Sequence, residues 1–336
     1  MEIVNTEDGI KSFVVFDLET NGLPNEQFNK CSITELSMYA FSSQCLKDAK
    51  DQVINLKEDD LMDGITSLNV PVPELPRVLH KLTLMVNPMR MIHPESERIT
   101  GLSNDMLCNE SPFDTKTANC VLAFLERLEK PICFVAHNGW NFDYPVIRHV
   151  FEKIKMTIPS TIYCVDSFKA FIEMDEKKTQ LESLTMELIE EPNETDAINE
   201  PTTNSKTPLE ENDDIDWQKA NETTPQRKSK SAKRKLYDTP EQSNGAANKK
   251  RLISLKSRRE LFSKPFQPQT KYPPKDKYKL GNIFERVFKQ PPTDLHRAES
   301  DVMILTKLIL HHGLDFMAYA EERKEPFDKV KKLGQN

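Results

Sequence analysis

Residues 13–20 read Phe13-Val14-Val15-Phe16-Asp17-Leu18-Glu19-Thr20. Four apolar residues in a row, two of them β-branched, predict a strand buried on both faces. Side chains alternate along a strand, so Asp17 and Glu19 at its end point to one side. Two like charges at the end of a buried strand repel, and desolvation sharpens the repulsion. A hard cation shared by oxygen ligands would compensate such a pair; a solvated strand end that happens to carry two acids is the alternative.

Beyond this strand, the turn Asn21-Gly22-Leu23-Pro24 breaks the pattern. Residues 33–41 and 77–86 alternate as two further strands, separated by an acidic, proline-containing excursion over 45–76. Three early strands predict an antiparallel meander that opens a mixed sheet. Residues 99–107 form a turn leading into a short helix at Ser103. Residues 116–130 carry Ala118, Val121, Leu122, Leu125 and Leu128 at helical spacing, and Pro131 ends the run. A buried strand over 132–136, the polar turn His137-Asn138-Gly139 and a helix over 143–153 make a βα unit. Its loop lies at the strand's carboxyl end, where open α/β sheets place their chemistry. A strand over 161–166 leads into a helix from Ser167 to Ile172. Helices over 278–290 and from Ala298 to about His311 complete the ordered set.

The 336 residues suffice for one large domain or two ordinary ones. With 29% charged residues and a mean hydropathy of −0.60, a soluble protein with a substantial polar segment is expected. No apolar run approaches the roughly 20 residues of a membrane span, and the amino terminus lacks the pattern of a secretory signal. The six cysteines are scattered without a C-x-x-C pair, as expected of reduced core thiols in an intracellular protein. The net charge of −7 is unevenly spread, with acids dominating 173–216 and bases 227–259, so it argues neither for nor against a nucleic-acid partner.

The expected layout is a domain in two parts, 11–176 and 272–320, interrupted by a disordered insertion over 177–271 and followed by a flexible tail over 321–336. The insertion offers too little apolar surface to offset chain entropy. Within it, Lys233-Arg234-Lys235 and Lys249-Lys250-Arg251 are spaced as a two-part nuclear import signal. An electrostatic tether to nucleic acid is the alternative.

Two further acids stand out. Asp143 follows the buried strand, where it could equally cap the next helix. Asp301 shares a helix face with Leu305 and Leu308. A carboxylate there needs compensation by a metal or by a buried arginine. If Asp17, Glu19, Asp143 and Asp301 converge, their charge would repel a phosphodiester, and two divalent cations would turn the site into an anion receptor. Oxygen ligands favour magnesium or manganese over zinc. His296, on the loop before the last helix, could reach over the metals and take a proton from water near neutral pH.

Asp-x-Glu after a hydrophobic strand, His137-Asn-Gly-x-x-Phe-Asp143 and His296-x-x-x-x-Asp301 resemble the DEDDh exonucleases. Phe16-Asp-Leu-Glu-Thr-Asn-Gly-Leu-Pro24, Ile99-Thr-Gly-Leu102, Val135-Ala-His-Asn-Gly139, Cys164-Val-Asp-Ser167, Tyr278-Lys-Leu-Gly-Asn-Ile283 and His296-Arg-Ala-Glu-Ser-Asp-Val302 narrow the match to the TREX-type three-prime repair exonucleases. The resemblance covers about 13–172 and 272–312. It implies an RNase H-like α/β fold, a mixed sheet flanked by helices, that removes 5′-mononucleotides from DNA 3′ ends. Single-stranded or frayed ends would be favoured, in DNA degradation or repair.

By that resemblance Asp17, Glu19, Asp143 and Asp301 bind two Mg2+ ions, for which Mn2+ can substitute, and His296 is the general base. Leu23 and Ile99 match positions that pack around the terminal nucleotide. Thr20, Glu19 and Asp301 belong to the substrate site, and Phe142 stands where some members carry a tyrosine near the scissile phosphate. The resemblance further implies a homodimer formed through an edge strand, for which residues 77–86 are the candidate. The long insertion departs from the family core, and the hydrophobic tail of some members is absent, so no membrane anchoring is expected. Residence in the nucleus and/or cytoplasm, with contact to an import receptor, follows. A ribonuclease that trims short RNA is the alternative within the family, and a catalytically silent nucleic-acid-binding module the alternative outside enzymes.

Overall fold

In the computed structural model, which describes residues 9–24, 27–48, 70–189, 255–268 and 274–334, strand β1 (Ser12–Thr20) is flanked on both sides. It pairs antiparallel with β2 (Ile33–Ser42), which pairs antiparallel with β3 (His80–Met85) at the sheet edge. On its other side it runs parallel to β4 (Ile132–Ala136), and β4 runs parallel to β5 (Tyr163–Asp166). The two-residue β6 (Glu325–Pro326) adds antiparallel to β5. The order β3-β2-β1-β4-β5-β6 is that of the mixed, RNase H-like sheet expected from the sequence.

The helices are, in chain order, α1 (Gln44–Asp48), α2 (Pro94–Thr100), α3 (Asn104–Leu107), α4 (Thr115–Glu126), α5 (Asp143–Lys153), α6 (Ser167–Ile189), α7 (Leu255–Phe262), α8 (Leu280–Phe288), α9 (Ala298–His312) and α10 (Leu314–Arg323). Strand alternation divides the core into two layers. Phe13 and Val15 of β1, with Tyr39 and Phe41 of β2, face a layer built from Val302, Leu305, Leu308 and Ile309 of α9 and from Phe316 of α10. Val14, Phe16 and Leu18 face the layer formed by α4 and α5. By the same alternation Asp17 and Glu19 lie on the α9 side of the sheet.

Several expectations are corrected. Ile99 and Thr100, expected in a turn, end the helix Pro94–Thr100, which has Pro94 in its first turn and the His93 ring capping Glu95 N; the short helix expected at Ser103 is present, capped by Ser103. The excursion over 45–76 begins with α1, whose Leu46 is buried, and residues 49–69 lie outside the described set. α4 stops at Glu126, four residues before the helix end expected at Lys130.

The chain divides into two units, Met1–Leu188 with Leu252–Asn336, and Ile189–Arg251. Beyond Ile189 the second unit lies outside the described residues, as do both basic clusters, 233–235 and 249–251. At the margins, the expectation of disorder over 177–271 does not hold. α6 continues unbroken to Ile189, and α7 packs along α10 with Phe262 buried. The tail expected to be loose is docked as well: Glu321 accepts a hydrogen bond from Ile10 N at 2.6 Å, and Phe327 and Val330 are buried.

Candidate active site

β1 delivers Asp17 and Glu19 at the carboxyl end of the sheet, and α9 lowers Asp301 onto the same face. One carboxylate oxygen from each of the three lies within 4.8 Å of the others. Asp301 is buried because the rest of its helix face, Val302, Leu305 and Leu308, packs on the sheet. Its Oδ2 accepts the backbone N–H of His296 at 3.0 Å, while its Oδ1 is buried without a partner.

Asp143 arrives from the other layer. It is the first residue of α5 and not its cap, which is Phe142, so the capping alternative does not hold. Its Oδ1 is also buried and unpartnered. The turn before it is tightly built. Asn138 adopts a left-handed φ of 61°, and a side chain at Gly139 would meet Ala136 Cβ at 2.7 Å. Asp166, at the end of β5, accepts the N–H of Asn138 at 2.9 Å and of Phe168 at 3.0 Å. His137 bridges Ser167 Oγ at 3.0 Å and the Tyr278 carbonyl at 2.9 Å. Since a carbonyl only accepts, the neutral ring carries its proton on Nε2. Three of the sequence motifs thus meet behind the acids as their scaffold.

The electrostatics follow from crowding. Burial, then the charges of Asp143, Glu19, Asp301 and Glu35, push the Asp17 carboxyl well above the usual range. Burial, followed by Asp301, Glu35 and Asp143, pushes Glu19 up to about 9. Asp143 is raised by burial and by Asp166, against the pull of its own and the Leu18 backbone N–H groups. Asp301 is raised by burial to about 6, with the His296 N–H holding it down and Glu35 adding to the rise. Without a cation, burial and mutual repulsion drive all four carboxyls toward their protonated forms. Hard oxygen donors, with no thiolate or imidazole among the three nearest, fit Mg2+ or Mn2+ better than Zn2+. The two buried, unpartnered oxygens of Asp143 and Asp301 are free to take an ion.

His296 is exposed and has a φ of 65°. It lies on the loop before α9, as expected. Thr20 is buried, and its hydroxyl donates to the Gly22 carbonyl at 2.9 Å. Leu23 and Ile99 are 56% and 39% exposed, a large apolar area offered to solvent. Asn21 links their segments, since its Nδ2 donates to Met91 O at 3.2 Å and its carbonyl accepts His93 N at 2.8 Å. Phe142 is half-buried beside Asp143.

Of the acids of this region, Glu35 escapes a reading by residue pattern, and Asp166 enters it only inside the motif Cys164-Val-Asp-Ser167, with no role assigned. Glu35 had a faint signal, a carboxylate in the middle of a strand.

A family model described as an exonuclease, RNase_T, matches residues 73–191. Three prime repair exonuclease 2 of Mus musculus is 33% identical over 167 residues, 49% of this chain and 63% of that protein. The Homo sapiens protein of the same name gives the same figures. The chain therefore spans less than two thirds of these relatives. Three-prime repair exonuclease 1 of Bos taurus is 24% identical over 332 residues, 96% of this chain and 70% of the relative. Among solved structures, the zinc-bound E. coli ExoI–ssDNA complex aligns with a TM-score of 0.33 and 12% identity, covering 50% of this chain and 30% of that one. Cell-death related nuclease 4 aligns with a TM-score of 0.33 and 14% identity, covering 56% and 52%.

Proposed function

The chain belongs to the RNase T/DEDDh exonuclease family, and from that premise we propose that it degrades DNA from the 3′ end, releasing 5′-mononucleotides with single-stranded or frayed ends favoured. The observation that carries the reading is the convergence of Asp17, Glu19 and Asp301 oxygens within 4.8 Å. Asp143 stands close enough that its charge is the largest acting on Asp17.

Asp17, Glu19, Asp143 and Asp301 would hold two Mg2+ ions, or Mn2+ in their place. Such ions supply the positive charge a phosphodiester needs in an acidic cleft and favour ionisation of water. The protein's own groups do the rest. His296, exposed on a turn pinned by Asp301, takes the proton of the attacking water. The water oxygen bonds to phosphorus as the bond from phosphorus to the 3′ oxygen breaks; that oxygen takes a proton from solvent, leaving a 3′-hydroxyl on the shortened strand and a 5′-phosphate on the released nucleotide. Leu23 and Ile99 pack against the terminal nucleotide, Phe142 stacks near the scissile phosphate, and Thr20 shapes the floor beside Glu19. Stacking on apolar side chains accepts any base.

The reading extends to a role in DNA degradation or repair and to residence in the nucleus and/or cytoplasm, with import through 233–235 and 249–251. No helix among the described residues is long and apolar enough to cross a membrane. It extends also to a homodimer formed through β3, which among the described strands pairs on one side only; light scattering that returned a monomer would remove that part.

The deciding assay is release of mononucleotides from 3′-labelled single-stranded DNA with Mg2+, beside RNA of the same sequence. Digestion that persists in excess chelator, or in Asp301→Ala, would overturn the reading. Faster digestion of RNA would convert it to an exoribonuclease, because only the pocket walls sense a 2′-hydroxyl.

A further inference from the structure

Helix α9, which carries Asp301, starts without a cap of its own. Its N-cap position is Arg297, which makes no side-chain capping hydrogen bond. The first N–H groups of a helix need partners from elsewhere. Here one comes from the far side of the sequence: Glu35 Oε2, on β2, accepts the N–H of Ala298 at 3.1 Å, and the pair is buried. The backbone N–H of Glu299 also lies close enough to draw the Glu35 carboxyl downward, against the rise that burial imposes.

Glu35 is 4% exposed and pairs in register with Glu19 on β1. It shares a face of β2 with Tyr39, whose hydroxyl donates to Glu299 Oε1 at 2.8 Å. Strand β2 therefore grips the first turn of α9 twice, through its backbone and through a side chain. A fifth buried carboxylate beside four others is costly. Its oxygen is spent on backbone N–H groups, outside the set of three that converge within 4.8 Å. The favourable meeting of a carboxylate with a helix N-terminus offsets that cost.

We infer that Glu35 is a positioning residue, which sets the amino terminus of α9 and, through it, the Asp301 carboxylate and the His296 turn against Asp17 and Glu19. The catalytic consequence rests on the exonuclease reading; the positional one does not.

Full-length Glu35→Ala, Glu35→Gln and Glu35→Asp separate the two. In ion-free protein, amide hydrogen exchange at Ala298 and Glu299 should quicken by about tenfold or more in Glu35→Ala, one lost hydrogen bond's worth, while Val14 to Phe16 stay protected. Glu35→Gln keeps an acceptor and should stay within about threefold of wild type, with Glu35→Asp between. With Mg2+ and an oligonucleotide, Glu35→Ala should lower kcat on the order of a hundredfold with little change in KM, and Glu35→Gln should recover most of it.

Unchanged exchange at Ala298 and Glu299 in Glu35→Ala would overturn the inference. So would wild-type kcat in that variant when the wild type itself is active. If Glu35→Ala does not fold, wild-type exchange and kcat in Glu35→Asp would overturn it equally. A wild type that digests no DNA defeats the exonuclease reading, and the exchange measurement still decides the role of Glu35.

Discussion

The backbone N–H of His296 donates to Asp301 Oδ2 at 3.0 Å, so an exposed imidazole and a buried carboxylate five residues apart form one pinned turn. One oxygen of Asp301 organises the turn and the other is left for a ligand. Asp301→Asn tests that division. The amide oxygen can still accept from His296, but the charge is gone. Nuclease kcat should fall on the order of a thousandfold, while the ion-free protein at pH 8 melts no lower than wild type. A clearly lower melting temperature would mean that the charge, and not the hydrogen bond, holds the turn.

The acids also set how stability follows pH. Burial and neighbouring charge raise Glu19 to about 9 and Asp301 to about 6. A carboxyl with a raised folded pKa binds protons more tightly folded than unfolded. Its stabilising contribution is complete below the ordinary carboxylate range and is lost as pH rises through the folded value. The ion-free protein should therefore lose stability from the ordinary carboxylate range, about pH 4, up to about pH 9, with the Asp301 part complete by about pH 6. Mg2+ at about a hundred times its dissociation constant should restore about 2.7 kcal/mol per site. Melting in chelator and in Mg2+ across that window checks it, and identical curves in the two would sink the idea.

What the sequence makes legible here is local. The run Phe13 to Phe16 and the face shared by Asp301, Leu305 and Leu308 are signals within one element, and both mark side chains that the structure buries. Glu35 was not legible because its partner lies 263 positions away and, in an alternating strand, it reads as one more solvent-facing polar position. α10 and the docked tail were missed for a related reason. Glu321 reads as a polar end, yet it holds the backbone of Ile10 from 311 positions away. α7 was hidden by its charges: Arg258 and Arg259 pair with Asp315 and Glu322 of α10, while only Phe262 at its end is buried. Composition marks a segment as polar without saying what its charges pair with.

Phe142 caps the position next to Asp143 without a polar group of its own. Phe142→Tyr adds a hydroxyl where the resemblance places the scissile phosphate. A new hydrogen bond to a charged acceptor is worth about 1.5–3 kcal/mol. Even a partial gain in the transition state should raise kcat severalfold, with KM nearly unchanged. Single-turnover rates on the same oligonucleotide decide it; equal or slower rates would show that the ring alone serves here.

The segment between the two parts of the domain can be removed only within limits set by α6 and α7. Lys177 Nζ pairs with Glu173 at 2.8 Å and lies 4.3 Å from the centre of the Phe262 ring. Arg323 of α10 holds Glu173 at 2.8 Å and also donates to the Lys264 carbonyl at 2.6 Å. Deleting 177–271 would strip the Lys177, Phe262 and Lys264 contacts, leaving only Arg323 on Glu173, and would open the face of α10; loss of Phe262 alone costs about 3 kcal/mol or more. Deleting only 190–254 and closing the gap with a flexible linker keeps every one of them. The shorter deletion should retain nuclease activity within about twofold and a melting temperature within a few degrees, while nuclear accumulation falls with the two basic clusters. The longer deletion should melt well below both. Equal stability of the two deletions would mean that α7 contributes nothing to the domain.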